Sequence, residues 1–426
     1  MNTDKYNHAI QVDTTTCIGC SHCMKVCPTQ AIRIIDGHAN IRPERCVDCG
    51  ECFRVCPVDA IYVQDDDMSI MKEFDYRVAL IPSVFIGQFP AEFTTSRILE
   101  AVHQLGFYEV FEVELAVDLL KEEYQRQAKT TDKLKPRISS YCPAIIRLIQ
   151  VVFPSLTEHI LQLKAPHDIA AIICKEKIQE KQQDVKNVGI FYITPCASKI
   201  VAARAPEGEN ESPIDGVFSM NALYNKVYQI LVNDDRNQCR KHVADMTPDA
   251  VNWSLSGYER KYFNGRTLAI NGMDNVLEFL EKLESGQISE IDFLELRACD
   301  QGCAGGILCP GNRLLTVERL EERQKRLQNL TDKALLNRTP ESAYVSDLLS
   351  DVMGKAKENM IWVTSQAHKN IVAVASLKEL SAIVVVNERK VSQDVIEQAE
   401  KENVNIIASG SAAFETAGLL FDYLNS

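Results

Sequence analysis

Two runs near the amino terminus constrain this chain more than anything else in it. "CIGCSHCMKVCPTQAI" begins at Cys17 and "CVDCGECFRVCPVDAI" at Cys46, and both read C-x2-C-x2-C-x3-C-P. Cysteines clustered at such regular short spacings point to metal. The opening "MNTDKYNHAIQVD" lacks the charged-then-apolar layout of a secretory leader, which predicts a cytoplasmic protein. Reducing surroundings argue against disulfides. Zinc is the other candidate, but zinc favours paired C-x2-C knuckles separated by longer gaps. A 4Fe–4S cubane needs one thiolate per iron, and two-residue spacers let a short loop wrap three corners while the fourth cysteine reaches the partner cubane. This assigns Cys17, Cys20, Cys23 and Cys56 to one cluster and Cys46, Cys49, Cys52 and Cys27 to the other. Pro28 and Pro57 end each run and turn the chain away. A module of this kind moves electrons and makes no bonds.

The repeats occupy a small unit, residues 1–70, closed by the acidic linker "QDDDMS". The chain has 426 residues, room for several domains and a sizeable core. Its net charge of −13 disfavours nucleic acid or an anionic membrane as partner, and no apolar run is long enough to span a bilayer. From 75 to 330, β-rich runs such as "YRVALIPSVFI" and "NVGIFYITP" alternate with helical patterns such as "VLEFLEKLES", which stops at Gly286. That alternation predicts parallel sheets covered by helices, with ligands at loops beyond the carboxyl ends of strands. A charged helical stretch and the turn "TPES" then separate residues 343–426, another βαβ pattern.

Seven of the fifteen cysteines lie outside the repeats. "SSYCPAI" places Cys142 before a proline, "YITPCASK" places Cys196 after a strand, and "LRACDQGCAGGILCPG" carries Cys299 and Cys303. Those four complete the ligand count of one further cubane, gathered from three separated loops. Cys174 sits in an apolar run and reads as a structural thiol. Cys239 reads as exposed and unligated, and Cys309 as a thiol supporting a turn.

At these residues the chain resembles the iron-only (FeFe) hydrogenases, whose three signature loops hold an H-cluster, a cubane joined through a cysteine sulfur to a diiron centre carrying carbon monoxide and cyanide. "SSYCPAIIRL", "TPCASK" and "ELRACDQGCAGG" correspond to those loops, "VFPSLTEHILQLKAP" to the segment after the first, and "LIPSVF" to a strand end meeting the diiron ligands. The repeats resemble two-cluster bacterial ferredoxins. The resemblance implies an α/β fold: a two-lobed catalytic domain, preceded by a small α+β ferredoxin-like domain and followed by a small α/β domain. It implies that Cys142, Cys196, Cys299 and Cys303 hold the cubane and that Cys303 bridges to the diiron centre. Lys199 then binds a cyanide, as suits a compact point charge. Pro82 and Ser83 line the same ligands, with the Ser83 backbone N–H as a donor. Gly302, Gly305 and Gly306 let the backbone pass close to the cofactor.

The departures from that family point the other way. Its members usually carry a proton-relaying cysteine where this chain has Tyr141. Further relay positions fall at Leu161, Ala165, Tyr124 and Gln127, and two methionines near the cofactor become Thr194 and Arg297. The ligands are thus complete while the usual proton route is missing, a pattern resembling the divergent, sensory members. Residues 343–426 resemble the DRTGG domain, a module attached to regulatory proteins; a plain structural or dimerising domain is the alternative. The expected activity is slow hydrogen activation of the ferredoxin hydrogenase type, with electrons passing through two 4Fe–4S clusters. A non-catalytic iron–sulfur carrier or assembly protein without the diiron centre is the competing reading, and a simple ferredoxin-like relay a third. Expected partners are dihydrogen and protons, a redox partner such as ferredoxin, the hydrogenase maturation proteins, and either a second copy of the chain or a signalling partner at the carboxyl-terminal domain.

Overall fold

The computed structural model of the chain describes residues 8–128, 134–181, 187–206, 211–233, 246–335, 340, 342–387, 389, 391–402, 404–409 and 411–424. Cys239 lies outside them. Two compact units emerge, Met1–Lys325 and Arg326–Ser426.

In the first unit the cysteine repeats fold as near-equivalent halves. β1 (Ile10–Val12) pairs antiparallel with β4 (Ile61–Val63), and β2 (Ile32–Ile35) with β3 (His38–Ile41). The middle of each repeat becomes a short helix, His22–Val26 or Glu51–Arg54, entered through a left-handed residue, Ser21 (φ 66°) or Gly50 (φ 85°). The alanine–isoleucine pair closing each repeat supplies the core between them: Ala31, Ile32, Ala60 and Ile61 are all buried.

Two parallel sheets follow, as the alternation of apolar runs and helices predicts. The first has the order β6-β5-β8-β9 and comprises β5 (Tyr76–Ile81), β6 (Glu109–Glu112), β8 (Val188–Thr194) and β9 (Gly216–Ser219). The run "YRVALIPSVFI" is not strand throughout. Pro82 ends β5, and Ser83–Ile86 turn into a helix whose four side chains are all buried. The second sheet has the order β10-β11-β7, from β7 (Arg137–Ile138), β10 (Thr267–Asn271) and β11 (Phe293–Arg297). The helix Met273–Glu284 stops as expected, with Gly286 left-handed at φ 72°.

β11 shows how a strand buried on both faces divides its residues. Leu294 and Leu296 enter an apolar core with Ile145, Leu148 and Leu280. Phe293 enters a mostly aromatic one with Tyr124, Trp253 and Phe263, and by the two-residue period Glu295 and Arg297 share its face. The second unit is built on a parallel sheet in sequential order: β12 (Ser342–Val345), β13 (Met360–Thr364), β14 (Ala382–Val385) and β15 (Ile406–Ala408). Its core gathers Trp362, Ile371, Ile383, Val385 and Val395.

Candidate functional site

Three strands end at one place. Cys142 follows β7 and precedes the helix Pro143–Val152, Cys196 follows β8 and precedes the helix Ala197–Arg204, and Cys299 and Cys303 follow β11. All four line a single cavity of about 400 Å³, partly open to solvent, together with Tyr141, Lys199 and Arg297. The loop after β11 reaches this cavity by close backbone contact. Gly302 is left-handed (φ 64°), and a Cβ there would lie 2.6 Å from the Ser254 carbonyl oxygen; a Cβ on Gly306 would strike the Pro195 carbonyl. The Cys303 N–H donates to that same Ser254 oxygen at 2.9 Å.

The donor set suits a metal cluster. Burial pushes the Cys196 thiol up to about 11 and raises those of Cys142 and Cys299 as well. Without a cation the sulfurs would stay protonated and converge on nothing. Bound iron would supply the charge that makes four facing thiolates stable.

A second cavity, about 310 Å³, is lined by Cys27, Cys46, Cys49 and Cys52. That is the crosswise set expected from the repeats, three cysteines of the second run and the last of the first. Cys49 lines both cavities. Backbone N–H groups donate to Cys27 Sγ (Ala31, 3.2 Å), Cys17 Sγ (Ala39, 3.3 Å) and Cys56 Sγ (Ala60, 3.3 Å).

Lys199 lies one helical turn beyond Cys196 and is 4% exposed. Its Nζ donates to the Tyr141 hydroxyl at 3.1 Å and sits 3.6 Å from Cys303 Sγ; the Tyr141 hydroxyl is itself 3.6 Å from that sulfur. Burial works to lower the Lys199 pKa, but Cys303 and then Tyr141 and Tyr192 hold it well above the usual lysine value, so it stays cationic. Pro82 and Ser83 stand at the carboxyl end of β5 and are absent from the cavity lining. The Ser83 N–H expected to face a cofactor ligand instead donates to Glu114 Oε2 at 2.9 Å. Glu114 is 3% exposed, and so deeply placed a carboxyl requires a donor. Its burial pushes the carboxyl up to about 7.

With this geometry in place, comparison with known proteins is decisive. The family described as "Iron only hydrogenase large subunit, C-terminal domain" matches residues 76–227 and 219–307, more than half of the chain. The chain belongs to the iron-only hydrogenase family. A 4Fe-4S dicluster domain matches residues 9–57. The Periplasmic Fe hydrogenase large subunit of Nitratidesulfovibrio vulgaris is 30% identical over 220 residues, covering 47% of this chain and 52% of that protein. Iron hydrogenase 1 of Clostridium pasteurianum is 23% identical over 338 residues, covering 66% and 58%. This hydrogenase-family chain thus spans just over half the length of those two relatives. Among solved structures, a variant of the FeFe-hydrogenase HydA1 from Chlamydomonas reinhardtii is 19% identical with a TM-score of 0.46, covering 61% of this chain and 85% of that one. A structure of HydA(deltaEFG) is 17% identical with a TM-score of 0.47, covering 64% and 91%. Among the described residues no helix is long and apolar enough to cross a membrane.

Several positions that the sequence resemblance aligns with the family's proton relay come together in space. Tyr124, Tyr141 and Leu161 share one core cluster, at 2%, 7% and 1% exposure. The Tyr124 hydroxyl donates to Glu259 Oε1 at 2.7 Å, and Ser139 Oγ donates to Glu259 Oε2 at 2.7 Å. Gln127 Nε2 donates to Glu123, while the Thr194 hydroxyl donates to the Cys196 carbonyl at 3.0 Å. Arg297 pairs with Glu259 (3.0 Å) and Glu295 (3.4 Å), all three sealed from solvent. Glu259 and Glu295 escaped the sequence reading. The available signal was "FLELR", an acid and a base two residues apart on one face of an otherwise apolar strand. Cys174 is fully buried and its thiol is pushed up to about 12. Cys309 Sγ donates to the Cys303 carbonyl at 3.3 Å, consistent with its supporting that turn.

Proposed function

We propose that this protein activates dihydrogen at an H-cluster, with Cys142, Cys196, Cys299 and Cys303 holding the cubane and Cys303 bridging to the diiron unit. The observation that carries this reading is a buried lysine ammonium beside Cys303, on the cavity that the four cysteines line. A bare cubane calls for four thiolates and nothing more. A cationic donor of this kind suits a diiron unit bearing anionic ligands, and that unit, when bound, supplies the chemistry of heterolytic dihydrogen cleavage. The carrier reading leaves Lys199 without a task.

The residues also set an order for electrons. Because Cys49 lines both cavities, the cluster of Cys27, Cys46, Cys49 and Cys52 adjoins the central site, and the cluster of Cys17, Cys20, Cys23 and Cys56 faces outward toward a redox partner such as ferredoxin. Proton delivery is the weak element. Tyr141 and Leu161 stand in an apolar cluster where a chain of titrating groups would be required. Slow turnover follows, and with it a sensing role in which residues 343–426 act as the regulatory, DRTGG-like module, through a second copy or a signalling partner. Assembly of the diiron unit falls to the hydrogenase maturation proteins.

Infrared spectroscopy of protein loaded with a synthetic diiron precursor tests the reading. Carbonyl and cyanide stretches should appear in the wild-type protein. Their absence, with all three cubanes present by iron counting, would favour the carrier.

A further inference from the structure

Arg297 is 1% exposed, lines the cysteine cavity, and is held on three sides. Nε faces Glu295 Oε1 at 3.4 Å. NH2 faces Glu259 Oε2 at 3.0 Å and donates to the Trp253 carbonyl at 3.2 Å. The guanidinium plane lies over the Tyr141 ring, 3.7 Å from its centroid. NH1 alone has no hydrogen-bond partner among the described residues, although it is buried. A buried donor is costly to leave unmade, and a guanidinium locked by two carboxylates and a stacked ring cannot swing away to find one.

Glu259 and Glu295 are in turn anchored rather than adaptable. Glu259 accepts from the Tyr124 and Ser139 hydroxyls, and Glu295 from the Gly257 and Arg260 N–H groups at 2.8 and 3.1 Å. The network therefore holds Arg297 rigidly on the cavity wall with one buried donor left unmade. Lys199 Nζ stands 4.3 Å from the centroid of the same Tyr141 ring, so two fixed cations bracket the phenol that touches Cys303.

We propose that Arg297 is a second cofactor-binding cation of this site, its NH1 group donating to an anionic acceptor of the bound cofactor, either a cyanide on the diiron unit or a sulfide of the cubane. The inference rests on the H-cluster reading and adds to it. Lys199 provides a compact point charge, and Arg297 a directional donor held in place by Glu259 and Glu295.

The test compares wild-type, Arg297→Lys, and an Arg297→Met, Glu259→Gln, Glu295→Gln triple variant that leaves no carboxylate stranded in the core. Each is loaded with the synthetic diiron precursor and followed by infrared spectroscopy, by paramagnetic resonance of the reduced cubanes, and by the rate at which diiron is lost on dilution. Unchanged resonances from the two amino-terminal clusters confirm that a variant has folded. A shift of the cyanide bands in both variants, with roughly tenfold faster diiron loss on the scale of one charge-assisted hydrogen bond, is the expected result and assigns the acceptor as cyanide. Unmoved cyanide bands with a shifted central-cubane resonance assign it as sulfide. Variants matching wild type in bands, resonance and retention would overturn the role of Arg297 while leaving the H-cluster in place. A wild-type protein without carbonyl or cyanide bands would overturn both.

Discussion

The amino-terminal cysteines and the central cysteines are brought together by opposite means. In the repeats, spacing along the chain does the work: three thiols fall on one short loop, and a left-handed residue starts each helix that carries them. In the central site, no two of the three contributing segments are neighbours in sequence, and position comes from parallel strands ending together. A loop motif can be copied wherever a chain needs a cluster, whereas a gathered site exists only when both sheets are in place. The gathered site in return brings side chains such as Lys199, Tyr141 and Arg297 to the cavity that the cysteines line, which a short loop cannot do.

Removing a ligand should separate the two regions most sharply. Fully reconstituted protein should approach about fourteen iron atoms per chain, from three cubanes and one diiron unit. Cys299→Ala should lose about six of them at once, cubane and diiron together, and leave the amino-terminal resonances intact. Cys56→Ala should cost about four and disturb the cluster of Cys17, Cys20 and Cys23. A wild-type plateau near eight would mean that the central cysteines hold nothing.

Lys199→Ala should act only on the gathered site. Loss of one buried charge-assisted contact costs on the order of 2–3 kcal/mol of diiron retention, with all cubanes spared. Arginine should rescue incompletely, because a planar fork does not replace a point charge. Unchanged loading and unchanged infrared bands in the alanine variant would remove Lys199 from the site.

What was legible in the sequence divides along the same line. The repeats and the two β-rich runs are local patterns, and local patterns survive in a string of letters. Cys142 and Cys196 stood out through their loop-like places beside prolines and through the ligand count of a further cubane. The Arg297–Glu259–Glu295 network was not found, because it joins β11 to a loop nearly forty residues earlier. A lone acid in "GYERKY" gives no sign that it will be fully buried. The acceptor of the Ser83 N–H was hidden for a related reason. Nothing near it in sequence shows that Glu114, across from β5, will claim that N–H.

Titration offers a subtler contrast. Asp13, exposed in the amino-terminal region, is held at about 2 by the hydroxyls of Thr15 and Thr16, while burial lifts Glu114 to about 7 and depresses His167 to about 3. Glu114 keeps its proton in the folded state from about pH 4.5 to 7 while the unfolded chain loses it, so its contribution to stability falls as pH rises through that window. His167 remains neutral when folded while the unfolded chain takes up a proton below about 6.5, so its contribution falls as pH drops from 6.5 toward 3. The two slopes oppose between 4.5 and 6.5. Glu114→Gln should therefore gain in thermal midpoint relative to wild type on going from pH 5 to 7, by up to the equivalent of about 2 kcal/mol. His167→Gln should gain relative to wild type on going from pH 6.5 to 5. Midpoints that track wild type at every pH would remove these groups from the account.

The smallest expected effect is on rate, and it separates ligand supply from proton supply within the gathered site. Turnover needs a proton for each electron, passed through groups that titrate near the working pH. Tyr141 cannot serve: burial, with the Cys303 charge added, holds its hydroxyl well above the ordinary phenol value despite Lys199 and Arg297 nearby. Leu161, in the same cluster, has no exchangeable proton on its side chain. A relay broken in two places is not mended by repairing one. Tyr141→Cys should therefore raise hydrogen turnover only a few-fold, well short of the orders of magnitude that a complete relay would restore. Tyr141→Cys combined with Leu161→Ser should raise it further than the two single effects multiplied, since each variant alone leaves the other gap. Film electrochemistry across pH reads this directly. Fast, nearly pH-independent turnover in the wild-type protein would show that protons reach the site by another path, and that the two gaps do not limit it.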